Sequence, residues 1–176
     1  MQAETVAMNT NGVSTSIERK AGDHSQIYKQ WLAFTKYPFG KRFFDMFAGY
    51  FVPYTGSIGA RVQELRPGYS KITLRDRRKV RNHLKSVHAI ALANLGEYSG
   101  NLALLASLSS KGRFIVKGLT MDYHKKSRGL ITAECHCPEY IPGEKAEYNL
   151  EVTLKNGDGE LCATCYLITV VGPIKG

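Results

Sequence analysis

His88 and Glu97 can each hold or move a proton and Asn82 can position a water, and all three fall within the stretch 82–97. The segment reads as the start of a long apolar helix with Glu97 two turns inside. A carboxylate there is costly to bury unless something pairs with it or uses it. Its helical neighbours three and four positions away are Ala93, Asn94, Gly100 and Asn101. They form a small polar notch in an otherwise greasy surface, able to hold a water. An arginine paired with Glu97 across an interface is the competing reading.

A helix start presents free amides and a partial positive charge, so the amides near Ala89 and Ile90 suit a carbonyl oxygen that gains negative charge. Glu97 has the chemistry of a general base, or of a nucleophile. Eight residues separate Ala89 from Glu97, roughly 12 Å along the axis at about 1.5 Å per residue. One helix therefore cannot bring both groups to within about 3 Å of one carbonyl. Amide and carboxylate must come from different subunits, which predicts a homodimer, or a dimer of dimers, with shared sites. His88 is expected either to orient the helix start or cap a backbone carbonyl, or to take part in catalysis. Asn82 is expected to position a water or to bind a loop carbonyl.

The chain carries a net charge of +9. Much of it lies at 61–85, and Lys125, Lys126 and Arg128 form a second cluster. These cations read equally as a solvated surface or as a site for a phosphorylated ligand. A nucleic-acid platform on 61–81 is the weakest reading, because strand residues alternate between faces and aromatic interleaving is poor. Four cysteines, Cys135, Cys137, Cys162 and Cys165, fall in strand-like segments. Cys162 and Cys165 point to opposite faces there, and Cys135 with Cys137 offers too few ligands for structural zinc. Buried free thiols, no metal and no cofactor are expected.

The period of the apolar residues sets the elements. Two short aromatic-rich helices are predicted at 26–34 and 39–50, docked as lids on a core. Strands at 58–65 and 69–75 flank Arg66-Pro67-Gly68 as a hairpin. The long helix spans 87–108, and strands follow at 114–125, 130–137, 147–155 and 161–171. Residues 1–24 read as a flexible tail and 25–176 as one domain, divided into N-terminal helices (25–50), hairpin (57–76), central helix (87–108) and remaining strands (113–171). A helix apolar on nearly every side asks for a curved antiparallel sheet wrapped around it, the α+β hotdog architecture. No apolar run reaches the roughly 18 residues of a membrane span, and no export signal is apparent, so a cytoplasmic protein is expected.

The stretch 82–97 also resembles the signature of hotdog-fold acyl-CoA thioesterases of the phenylacetyl-CoA thioesterase type. That signature has an Asn, then a His followed by two glycines, then an acid nine positions after the His; Asn82, His88 and Glu97 match its spacing. Residues 61–68, Gly118-Leu119-Thr120-Met121-Asp122-Tyr123 and the following 125–129 resemble the family's first strand and its strand after the helix. The likeness covers 57–171, whereas 39–59 looks more like another branch of the superfamily. The resemblance implies hydrolysis of an acyl thioester, Glu97 as base or nucleophile, shared sites in a dimer, and coenzyme A met at its nucleotide end by Lys125, Lys126 and Arg128. Asn94 and Asn101 join these as candidate substrate contacts. Ala89 and Ile90 replace the glycine pair, and their side chains narrow the approach to the helix amides. Two alternatives stand beside an acyl-CoA thioesterase. One is a non-catalytic acyl-CoA or lipid-binding module. The other is a dehydratase or hydratase, suggested by His83 fourteen residues before Glu97.

Overall fold

A computed structural model of the protein describes residues 25–108, 112–138 and 145–173. The tail expected at 1–24 lies outside the described residues. The chain begins with α1 (Gln26–Thr35), α2 (Gly40–Phe51) and a short α3 (Pro53–Ser57). Ser25 caps α1 by accepting the Tyr28 amide at 3.3 Å. Two N-terminal helices were expected. The third arises because Pro53 at its first turn is pre-set for helix and needs no amide bond there.

The hairpin follows as β1 (Arg61–Arg66) and β2 (Tyr69–Arg75). Gly68, at φ 75°, supplies the positive φ of the Pro67-Gly68 turn. After a 3-10 turn at Arg78–Val80 comes α4 (Ala89–Ser107), then β3 (Gly112–Tyr123), β4 (Leu130–His136), β5 (Ala146–Lys155) and β6 (Leu161–Pro173). The strands form one antiparallel sheet in the order β1-β2-β4-β5-β6-β3, leaving β1 and β3 as edges. The central helix starts at Ala89 rather than 87, because the Val87 amide is held by the Ser127 carbonyl and the His88 amide by Val80.

The sheet wraps one side of α4. An added Cβ on Gly96 would stand 2.5 Å from the Cys165 Cβ, and one on Gly100 would collide with Leu167. Glycine at both positions lets the helix axis lie close on β6. Ser70 Oγ also donates to the Ser99 carbonyl at 2.7 Å, pinning α4 to β2 in a buried setting. On the far side α1 and α2 close the core, where Trp31 meets the fully buried Phe44 edge-on at 5.1 Å. The hotdog expectation is met.

Cys135, Cys162 and Cys165 are buried free thiols, and Cys137 is half-buried. Burial pushes the Cys135 and Cys165 thiols up to about 12, so they stay protonated and inert. Among the described residues no cluster of His, Cys, Asp or Glu has a metal-binding arrangement, and no helix is long and apolar enough to cross a membrane.

Candidate functional site

The loop before α4 is built on Asn82. Its Oδ1 accepts the amides of Leu84 (2.9 Å) and Ser86 (3.2 Å) and the Ser86 hydroxyl (3.2 Å). Asn82 thus gathers loop donors on its oxygen, which can accept several of them in a tight turn. His83 is exposed on this loop.

His88 caps the helix on an amide, not on a backbone carbonyl. Its Nδ1 accepts the Ile90 amide at 3.1 Å, satisfying a donor that the helix start leaves open. The Ala89 amide has no acceptor among the described residues, and the Ala89 carbonyl accepts from the Tyr123 hydroxyl at 3.0 Å. Tyr123 ties the end of β3 to the start of α4, a link the local pattern does not signal. The Ile90 side chain is 56% exposed at this mouth.

Glu97 is half-buried and has no hydrogen-bond or ion-pair partner among the described residues. After burial, its charge is the further cause that raises the Cys165 thiol. Asn94 donates to the Tyr54 carbonyl at 3.3 Å, but its Oδ1 is buried without a partner. The Asn101 Oδ1 is likewise buried and unpartnered. Asn94, Glu97 and Asn101 follow the i, i+3, i+7 spacing of one helical strip. The notch differs from expectation in one member, since Gly100 faces the sheet.

Asn82, Ala89, Lys125 and Lys126 line one shallow groove at the start of α4. Lys125 is paired with Glu160 at 2.9 Å, and both groups are exposed. Arg128 stands apart, with its charge acting on Asp76. Asp76 is held below the usual carboxylate range, first by the Arg81 hydrogen bond at 2.6 Å, and it also accepts the Gly129 amide. Lys71 pairs with Glu134 at 2.9 Å, so part of the basic run is internally neutralised.

A cavity of about 470 Å3 lies between α1, α2 and α4, walled by Ile27, Phe47, Leu102, Leu105 and Phe114, with Asn101 at its side. A second, of about 500 Å3, opens between α2, α3 and β1 around Asp45. The two share Ala48, Thr55 and Tyr98. Asp45 and Tyr98 were not singled out from sequence. A lone acid on the aromatic-rich α2 is the signal that was there to find.

Residues 40–171 match the family described as a domain of unknown function (DUF4442). The chain belongs to the DUF4442 family. This DUF4442 chain has the hotdog fold of the thioesterase superfamily. A structural-genomics protein of known structure superposes with a TM-score of 0.73 at 27% identity, covering 84% of this chain and 99% of that one. A Pseudomonas aeruginosa protein of unknown function, described as a probable thioesterase, gives a TM-score of 0.65 at 26% identity over 72% of this chain and 91% of that one. A Haemophilus influenzae thioesterase gives 0.62 at 13% identity, covering 70% and 85%, a likeness of fold alone. No curated protein matches the sequence.

Proposed function

We infer that this protein hydrolyses an acyl-CoA thioester. One observation carries the reading. Glu97 is a half-buried carboxylate without a partner, flanked on its own strip by two buried amide oxygens that also lack one. Buried polar groups are normally satisfied, so such a row is held for water or a ligand. The description of the P. aeruginosa relative as a probable thioesterase supports the same reaction class.

In this mechanism Glu97 takes a proton from water as the water oxygen bonds to the thioester carbon. The carbonyl oxygen gains the charge and is held by the Ala89 amide of a second subunit, the donor at the helix start that His88 leaves unclaimed. Collapse breaks the carbon–sulfur bond, and the proton on Glu97 passes to the leaving sulfur to give free thiol and carboxylic acid. In the covalent variant Glu97 attacks the thioester carbon, the carbon–sulfur bond breaks to release the thiolate, and water then opens the anhydride to free acid and Glu97, its proton passing to the thiolate. His88 serves as the cap that orients the amide, and Asn82 shapes the loop before it. Asn94 and Asn101 hold the water or the acyl end. Lys125, Lys126 and Arg128 meet the phosphates of coenzyme A, with Lys126 and Arg128 the more available because Lys125 is paired. The cavity beside Asn101 takes the acyl chain.

The shared site requires a dimer. The edge strand β3 supports one: twelve residues long, it leaves a row of backbone groups for a second copy and carries the exposed Ile115 and Leu119. A second reading, a module that binds acyl-CoA without cleaving it, is favoured by Ile90, whose exposed side chain stands where the related enzymes have glycine.

Assay of the purified protein against acyl-CoAs of graded chain length, beside Glu97→Gln, separates the readings. The hydrolase loses turnover in the variant while binding persists. Equal, negligible turnover in both proteins, with tight binding, would favour the module. Absence of acyl-CoA affinity would sink both.

A further inference from the structure

The cavity around Asp45 is used by no step of the proposed hydrolysis, and its groups are complementary to a different ligand. At its floor the Asp45 Oδ1 accepts the Val62 amide at 2.9 Å. Its Oδ2 stands 3.7 Å from the Arg61 guanidinium, an ion pair too long to be a hydrogen bond. That oxygen keeps its capacity to accept. Burial raises the Asp45 pKa to about 6, against the pull of the Val62 amide, Arg61 and Lys41. Tyr98 also lines the cavity, and its hydroxyl makes no hydrogen bond among the described residues.

One wall is the Phe43 ring, 52% exposed and stacked on no other ring among the described residues. At the mouth, Arg42 is exposed and without an ion-pair partner among the described residues. Arg77 donates one N–H to the Ile58 carbonyl at 2.8 Å, leaving the rest of its fork of five donors. Gly59, at φ 62°, lies against this guanidinium, where any side chain would collide with it. The backbone is thus shaped to let Arg77 cross to the cavity.

The lining therefore offers one carboxylate acceptor, one tyrosine, an exposed aromatic side chain and two planar cations. A fatty carboxylate does not fit that set, because its apolar body belongs in the neighbouring cavity and its charge would meet Asp45. We propose that this cavity binds a nucleoside phosphate whose base carries an exocyclic amino group. The amino group donates to Asp45, a ring nitrogen pairs with Tyr98, the base stacks on Phe43, and Arg42 and Arg77 hold the phosphate. A volume of about 500 Å3 suits a mononucleotide. The source is a free nucleotide, because the proposed hydrolysis places the phosphates of coenzyme A at Lys125, Lys126 and Arg128, none of which lines this cavity. The inference is independent of thioester cleavage, since neither probe nor readout involves a thioester.

Calorimetric titration of the full chain with AMP, adenosine 3′,5′-bisphosphate, IMP and coenzyme A tests it. AMP is expected to bind and IMP, which lacks the amino group, to bind more weakly. Arg42→Ala should weaken AMP by about tenfold or more, the loss of a charge-assisted contact. Asp45→Asn should remove the preference for AMP over IMP. Arg42 is exposed and unpaired, so its variant keeps the fold even if the Asp45 variant does not. Displacement of AMP by an equal concentration of coenzyme A would overturn the assignment to a free nucleotide, and failure to displace supports it. The proposal is overturned if neither adenosine phosphate binds at about 1 mM, or if Arg42→Ala binds AMP as the unaltered protein does.

Discussion

The His88 imidazole accepts the Ile90 amide at 3.1 Å, and the Ala89 amide beside it has no acceptor among the described residues. Cap and candidate oxyanion donor thus share one turn. Replacing His88 by Ala should cost about 1 kcal/mol of stability, the usual worth of an N-cap, while His88→Asn restores most of it. Urea midpoints of the three proteins check this, and equal midpoints for His88 and Ala would remove the cap from the account.

Glu97 behaves differently if its carboxylate is held for chemistry. Glu97→Gln removes a half-buried charge that no partner compensates, so stability should be unchanged or slightly higher. Turnover of acyl-CoA should fall by about 100-fold or more, as expected for loss of a general base. Thermal melts alongside steady-state assays would expose the opposite pattern, a destabilised protein with ordinary turnover.

Gly96 and Gly100 set how closely α4 lies on β6. Alanine at either forces a Cβ into Cys165 or Leu167, and the overpacking should cost about 1–3 kcal/mol. Gly157, with nothing within 4 Å of an added Cβ, provides the control, and its alanine variant should lie within about 0.5 kcal/mol of the parent. Chemical denaturation of the three variants gives the comparison.

Asp45 gives stability an unusual pH component. Its pKa is raised from 3.8 to about 6 in the folded chain, so between those values the native state binds more protons than the unfolded one. Stability from this group therefore falls as pH rises from about 4 to about 6. Asp76 and Glu134, held low mainly by hydrogen bonds from Arg81 and Lys71, act with the opposite sign and lose their contribution on acidification. The difference between the parent and Asp45→Asn isolates the Asp45 component. The parent should lose ground to the variant across that window, and a flat difference would contradict the buried acid.

The element order and the wrapped helix were legible in the sequence, because each is written in local periodicity, whereas the row of Asn82, His88 and Glu97 stood out through its resemblance to a family signature. A period of two against 3.6 separates strands from helix, and spacing along one helix decides which side chains share a strip. The shared strip of Asn94, Glu97 and Asn101 follows from that spacing alone. The polarity of the His88 cap does not, because an imidazole nitrogen can donate or accept, and only the position of the Ile90 amide selects.

Other features depend on contacts between residues far apart in the chain. Gly100 looked like part of a notch, yet it faces β6 because of how the sheet curves around α4. Asp45 meets the Val62 amide seventeen residues away, and Tyr123 meets the Ala89 carbonyl at a separation of thirty-four. The sequence by itself determined the helix that carries the carboxylate and the strands that enclose it, since propensity and period act over a few residues. Only the tertiary structure decided which polar groups were left without partners, because satisfaction of a buried donor or acceptor depends on everything packed around it.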